Sequence, residues 1–187
     1  MRYLFIAATL CLAPALSGCL PLLAGGAATA LVVNEDRRTL GTVTEDNGIE
    51  IKVRDRIRSK YPDPHFSVTA YNRMVLLTGE TADAATKADI EKIAAAVENV
   101  RGVHNELTVG GNSPMSARAN DTYITGRVKA RFIDQNKFNV VHVKVVTEAG
   151  TVYLMGLVRR KEADDATQIA RTTADVRKVV RLFEYID

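Results

Sequence analysis

The chain has 187 residues, enough for one domain or two small ones. Its 25 Lys and Arg against 22 Asp and Glu give a net charge of +3, and so small an excess argues against a nucleic-acid binder. A content of 47% hydrophobic and 25% charged residues is typical of a globular protein. The two cysteines, Cys11 and Cys19, are too few for a disulfide scaffold or a cysteine-based zinc site.

The first residues have the pattern of a secretory signal, with Arg2 followed by an apolar run. The run ends in Leu16-Ser17-Gly18-Cys19, which resembles the lipobox of bacterial lipoproteins. That resemblance implies a signal peptide over 1–18, cleavage before Cys19, and fatty acyl chains such as palmitate on Cys19. Two or more acyl chains hold a protein stably on a membrane.

An uncleaved transmembrane helix is the alternative, because residues 3–33 carry no charge. Pro14 and Pro21 interrupt this stretch, which favours the lipoprotein interpretation. In lipoproteins an Asp after the acylated Cys tends to retain the protein at the inner membrane. Leu20 stands there, so the resemblance implies sorting to the outer membrane. Residues 19–45 are interpreted as the lipidated Cys and a tether without a core of its own.

Three sequence blocks recur in the same order along the rest of the chain, at offsets of 75, 77 and 76 residues. They begin at Asp46 and Asp121, at Val68 and Val145, and at Ile93 and Ile169. This order indicates an internal duplication.

Each copy is predicted to fold in the order α-β-β-α-β. The first helix has an apolar stripe at helical spacing, formed by Ile49, Val53 and Ile57 in one copy and by Ile124, Val128 and Phe132 in the other. Asp46 and Asp121 are expected to cap these helices. The remaining elements are a hairpin around Asn72-Arg73 or Ala149-Gly150, a helix over 81–97 or 162–174, and a closing strand over 103–109 or 179–186.

This predicts an α+β protein of two tandem units, each with two helices packed on a three-stranded mixed sheet. The unit resembles the BON domain, and the whole chain resembles dual-BON outer-membrane lipoproteins of the DolP type. The resemblance is carried by Val68-Thr69-Ala70-Tyr71, Val75 to Gly79, Asn120 to Thr125 and Val152 to Val158. It implies BON domains over 46–110 and 121–187, joined by a linker over 111–120.

The family usually has Gly in the turn before the last strand, where this chain has Asn99 and Asp175. Both residue types tolerate a left-handed backbone, so the turn is expected to form.

The sequence offers no catalytic constellation. His65, His104 and His142 share no metal-ligand spacing, and each is expected at a strand edge or on the surface. Asp164 and Asp165 are adjacent, so they point to different faces of a helix. We therefore expect no catalytic residue, metal or cofactor, and no enzymatic activity.

The two copies differ on the outward face of their first helix. In the second copy this face is apolar with basic margins: Tyr123, Gly126, Ala130 and Ile133, flanked by Arg127 and Lys129. The first copy instead has Gly48, Ile51, Lys52, Asp55 and Arg58. Residues 46–109 carry 9 basic and 10 acidic groups, a net charge of −1. Residues 121–187 carry 12 basic and 9 acidic groups, a net charge of +3.

An apolar helix face with basic margins suits the interface of an anionic membrane. The resemblance points the same way, since DolP-type proteins bind anionic phospholipid through the second BON domain. The matching positions are Tyr123, Arg127, Ala130 and Ile133, although the family commonly has Trp where Tyr123 stands. Lys129 is included among the candidate phospholipid-binding residues because it is a basic residue at the margin of this helix face.

The expected protein is a non-enzymatic lipoprotein on the periplasmic face of the outer membrane. It is anchored by Cys19, binds anionic phospholipid, binds no nucleic acid, and supports envelope integrity. Two alternatives stay open: an adaptor that docks an envelope assembly protein, and burial of the apolar helix face between the two units.

Overall fold

A computed structural model of the chain describes residues 35–62 and 65–187. The signal peptide, Cys19, Leu20 and most of the tether lie outside these residues. In the described part, Asp36–Asp187 form one compact unit. No helix there combines the length and the hydrophobicity needed to cross a bilayer.

The α-β-β-α-β order occurs twice. The first domain contains α1 (Leu40–Lys60), β1 (Phe66–Tyr71), β2 (Met74–Thr81), α2 (Ala84–Ala95), β3 (Gly102–Asn105) and β4 (Thr108–Val109). The second contains α3 (Met115–Gln135), a 3₁₀ turn (Val140–His142), β5 (Val143–Glu148), β6 (Thr151–Val158), α4 (Arg160–Arg171) and β7 (Lys178–Tyr185). The predicted α+β class is confirmed.

Both sheets are mixed and have the same register. β1 pairs antiparallel with β2, and β2 pairs parallel with β3 and β4. β5 pairs antiparallel with β6, and β6 pairs parallel with β7. Val68 lies opposite Leu77 just as Val145 lies opposite Leu154. The expected closing strand of the first domain is split in two, because Leu107 turns its side chain into the core.

Asp46 and Asp121 do not cap helices, and that expectation is wrong. α1 begins six residues before Asp46, with Thr39 as its N-cap, and α3 begins six residues before Asp121. Both aspartates are buried and accept two backbone N–H bonds from a hairpin turn. Asp46 receives those of Asn72 and Arg73 at 2.8 and 2.6 Å, and Asp121 those of Ala149 and Gly150 at 2.9 and 2.8 Å.

Each domain buries one face of its sheet under its two helices. The predicted stripes are in these cores, with Ile49, Val53, Ile57, Ile124, Val128 and Phe132 all at 2% exposure or less. The predicted turns are also present, since Asn99 and Asp175 adopt positive φ of 67° and 71°. The paired cores therefore come from the alternation along the strands and the four-residue spacing along the helices.

The opposite faces of the two sheets pack against each other. Tyr71 and Leu76 of the first domain and Tyr153 and Met155 of the second form a third buried cluster. Lys144 adds a bridge at its edge, with Nζ 2.9 Å from Glu50 Oε1. The domains therefore meet through their sheets, and the helices of each domain cover the outer face of its sheet.

Candidate functional site

The outward face of α3 is exposed. Tyr123 and Ile133 keep 59% and 65% of their surface accessible, and Gly126 and Ala130 between them are also exposed. The core stripe of the same helix faces the opposite way and is fully buried. Burial of this face between the domains is therefore excluded, because the sheets supply that contact.

The apolar face is longer than the sequence analysis expected. α3 starts at Met115, directly after Pro114, so part of the expected linker is helical. Met115 is 76% exposed and Ala119 is exposed as well. These two residues precede Tyr123 by eight and four positions, a spacing that places them on the same side of the helix. This spacing could have indicated the longer helix from the sequence, but the turn-forming residues before Pro114 led to the prediction of a linker there.

We call the set Met115, Ala119, Tyr123, Gly126, Ala130 and Ile133 the apolar stripe of α3. With 21 residues, α3 is about 31 Å long. The stripe runs along most of that length. It is interrupted by no buried residue, because the core stripe lies on the other side.

The two basic residues at the margins differ in their contacts. The Arg127 guanidinium bonds the Asp175 carboxylate at 3.1 Å and lies 5.4 Å from the centre of the Tyr123 ring. Asp175 belongs to the turn before β7, so this pair connects the stripe to that turn. Lys129 is exposed and forms no ion pair with any residue in 35–62 or 65–187. Lys129 is thus free to face an anion, whereas Arg127 must share its charge.

The structure also brings together side chains that were not expected to form a cluster. His65, Glu80 and Glu148 each offer one ligand atom, and these atoms lie within 4.8 Å of one another. His65 Nδ1 is 2.5 Å from Glu80 Oε2. Glu148 belongs to the other domain, so neither its position in the sequence nor a motif predicts that it lies beside His65 and Glu80.

His142 differs from its expected place at a strand edge or on the surface. It is buried, with 9% of its surface exposed. It ends the 3₁₀ turn that packs on β6, where a Cβ on Gly156 would lie 2.3 Å from the His142 carbonyl oxygen. The absence of a side chain at Gly156 lets this turn approach the strand, which buries the ring.

Comparison with protein families gives a match to the BON domain over residues 45–111 and 120–187. The chain belongs to the BON-domain family. It is 33% identical over 175 residues to Outer membrane lipoprotein DolP of Haemophilus influenzae, covering 92% of this chain and 91% of that protein. The two matched segments give this chain two BON domains.

Two further relatives cover most of the chain. The 21 kDa hemolysin of Actinobacillus pleuropneumoniae is 29% identical over 154 residues, which are 81% of this chain and 79% of that protein. Osmotically-inducible protein Y of Escherichia coli strain K12 is 30% identical over 156 residues, which are 79% of this chain and 76% of that protein.

The first BON domain lacks the apolar stripe on its corresponding helix. On α1, Ile51 is 56% exposed, but Asp55 and Arg58 follow it on the same side. An isolated exposed isoleucine is an ordinary surface feature. The two BON domains therefore share a fold and differ in what their first helix presents to solvent.

Proposed function

We propose that this BON-domain protein binds anionic phospholipid through α3 of its second BON domain. In this proposal it has no enzymatic activity and supports the integrity of the cell envelope. The observation that carries the proposal is the exposed apolar stripe of α3, with Tyr123 and Ile133 accessible and with Lys129 beside it forming no ion pair to any described residue.

The physical argument rests on burial and charge. A helix that lies in a membrane interface inserts its apolar side into the acyl boundary and keeps its cations at the headgroups. Tyr123 suits the headgroup level, since its ring is apolar and its hydroxyl is polar. Each basic side chain near an anionic leaflet adds about 1 kcal/mol. Lys129 supplies this attraction directly, and Arg127 supplies it after sharing with Asp175.

We propose further that Cys19 carries the acyl chains and holds the protein on the periplasmic face of the outer membrane. The lipobox-like Leu16-Ser17-Gly18-Cys19 and the absence of Asp at residue 20 support this location. The similarity to Outer membrane lipoprotein DolP supports the outer membrane. The helix α3 would then lie close to a leaflet to which the chain is already attached.

The test uses residues 34–187, which contain the whole compact unit and none of the anchor. We expect this fragment to co-sediment with vesicles of phosphatidylglycerol mixed into phosphatidylcholine, and not with phosphatidylcholine alone. Raising the ionic strength from about 0.1 M to 1 M should weaken binding, because the Debye length falls from roughly 10 Å to 3 Å.

Two matched variants locate the site. Ile133→Asp should weaken vesicle binding about tenfold or more, because an isoleucine side chain contributes about 1.5 to 3 kcal/mol on burial. Ile51→Asp changes an exposed isoleucine on the equivalent helix of the first BON domain and should leave binding unchanged. Equal effects of the two variants would refute the assignment to α3.

A protein partner is the alternative occupant of the apolar stripe, since exposed apolar patches also mark protein contacts. A fragment that ignores anionic vesicles but binds a purified envelope protein, with loss of binding in Ile133→Asp, would favour the adaptor. Binding to anionic vesicles that Ile133→Asp removes favours the membrane.

A further inference from the structure

We infer that His65, Glu80 and Glu148 form a binding site for a divalent transition metal ion such as Zn²⁺ at the junction of the two BON domains. His65 directly precedes β1, Glu80 lies near the end of β2, and Glu148 is the last residue of β5. In the described part of the chain this is the one group of three such side chains that converge.

The spacing of the ligand atoms suits one small ion. Zinc binds His nitrogen and carboxylate oxygen at about 2.0 to 2.2 Å, so two ligand atoms in a tetrahedral site lie about 3.4 Å apart. The His65–Glu80 pair is closer, at 2.5 Å, and all three ligand atoms lie within 4.8 Å of one another. Binding of Zn²⁺ would therefore require the His65–Glu80 pair to open by about 0.9 Å and the wider spacing to close. Three protein ligands leave a fourth position for water.

The local charge also favours a cation. Glu80 is 8% exposed, and no Lys or Arg among the described residues pairs with it or with Glu148. Two cations line the adjoining groove of about 470 Å³, and neither forms an ion pair with Glu80 or Glu148. Lys144 bonds Glu50 at 2.9 Å, and Arg118 donates to the Ser113 carbonyl at 3.0 Å.

The pKa values of the two carboxyls shift in opposite directions. Burial, and then the charge of Glu80, raise the pKa of Glu148 above its usual range. Burial is also the largest influence on the pKa of Glu80 and works to raise it, but the hydrogen bonds with His65 and Ser113 together outweigh burial, and this pKa is lowered. A bound dication would remove the conflict between the two carboxylates.

The other end of the domain junction shows that the fold does not require acids here. At an offset of 77 residues, His142 corresponds to His65, Leu157 to Glu80, and Tyr71 to Glu148. At that end the Tyr71 ring lies 3.9 Å from the Arg38 guanidinium carbon. Its hydroxyl is 3.4 Å from the His142 carbonyl oxygen. An apolar residue and an aromatic residue thus fill the positions that carry carboxylates beside His65.

Calorimetric titration of residues 34–187 with Zn²⁺ tests the site, since this fragment has no cysteine to compete for the ion. We expect one Zn²⁺ per chain, and no binding of Mg²⁺, which prefers oxygen ligands. Glu148→Gln and His65→Gln should each weaken Zn²⁺ binding at least tenfold. His104→Gln, on β3, is the control and should bind as the unmodified fragment does.

The thermal midpoint of Glu148→Gln without metal separates lost binding from lost folding. Glu148 is partly buried, and no Lys or Arg among the described residues pairs with it, so the amide of nearly the same shape removes a charge that no cation offsets. The variant should therefore melt at an equal or higher temperature at neutral pH. Absence of Zn²⁺ binding in the unmodified fragment, or equal weakening in His104→Gln, would overturn the inference.

Discussion

At the scale of single residues, Asp46 and Asp121 each accept hydrogen bonds from the backbone of a hairpin turn, one in each domain. A two-residue hairpin turn with positive φ leaves backbone N–H groups pointing away from the ladder, and a buried donor without a partner costs free energy. One aspartate from the facing helix accepts both donors in each domain. The pair of bonds fixes the helix against the hairpin, which explains why the same residue begins each repeat.

We predict that Asp121→Asn lowers the free energy of unfolding by about 1 to 3 kcal/mol. The neutral amide has only one oxygen to accept from Ala149 and Gly150, so one N–H loses its acceptor and the remaining hydrogen bond loses its charge. Urea denaturation of residues 34–187 measures the change. Asp55→Asn, at an exposed position of α1, should shift the midpoint little; a similar shift in both variants would contradict the role assigned to Asp121.

At the scale of secondary-structure elements, glycines have opposite roles in strands and in α3. Gly79 has φ of 114°, and a Cβ there would lie 2.3 Å from the His65 carbonyl oxygen. Gly126 lies inside α3 with nothing within 4 Å of its Cβ position. A close approach of two backbones explains the first glycine, whereas the second only weakens its helix.

Alanine substitution at these two glycines should therefore have opposite effects. Gly79→Ala should destabilise the fragment by about 1 to 3 kcal/mol through the clash with His65. Gly126→Ala should stabilise it by about 0.5 to 1 kcal/mol through helix propensity. Thermal denaturation followed by circular dichroism compares the two, and a gain in stability for Gly79→Ala would show that the strand can move away.

The elements could be predicted from the sequence where one local signal dominates. Asn72-Arg73 and Ala149-Gly150 place both hairpin turns correctly, because the alternation along β1 and β5 leaves one register. The starts of α1 and α3 could not be found the same way. An aspartate ahead of an apolar stripe has the pattern of an N-cap, and only the folded hairpin reveals that its carboxylate is engaged there.

At the scale of the whole molecule, the contact between the sheets was not predicted, although a signal for it was present. Met74 to Leu77 of β2 and Val152 to Val158 of β6 are continuous apolar runs rather than alternating ones, which is typical of strands covered on both faces. The same limit applies to the candidate sites. The exposed residues of α3 follow from helical spacing, whereas the cluster of His65 and Glu148 depends on how the domains dock.

The segment before α1 attaches to both domains and gives a prediction for pH. Arg37 bonds the Glu162 carboxylate at 2.6 and 2.8 Å and the Leu157 carbonyl at 2.8 Å. The hydrogen bond from Arg37 is the main cause that lowers the pKa of Glu162, against the opposing effect of burial. A lowered pKa means that ionised Glu162 adds stability above its unfolded pKa, and that this stability is lost as the pH falls through the folded pKa.

We therefore expect Glu162→Gln to cost about 1 to 2 kcal/mol at neutral pH and less as the pH falls below roughly 4.3. Urea denaturation of residues 34–187 over a series of pH values measures the difference from the unmodified fragment. Glu98→Gln, at an exposed position, should show no such dependence. A difference that stays constant with pH would contradict the role of the Arg37–Glu162 pair.

The back-to-back sheets give the compact unit Asp36–Asp187 four layers, with helices outermost on two opposite sides. A flat bilayer can touch only one of those sides at a time. A molecule resting on lipid through α3 would hold α1 and α2 toward the aqueous compartment, about one protein thickness away. Membrane attachment and recruitment of a second protein would then use separate surfaces and would not compete.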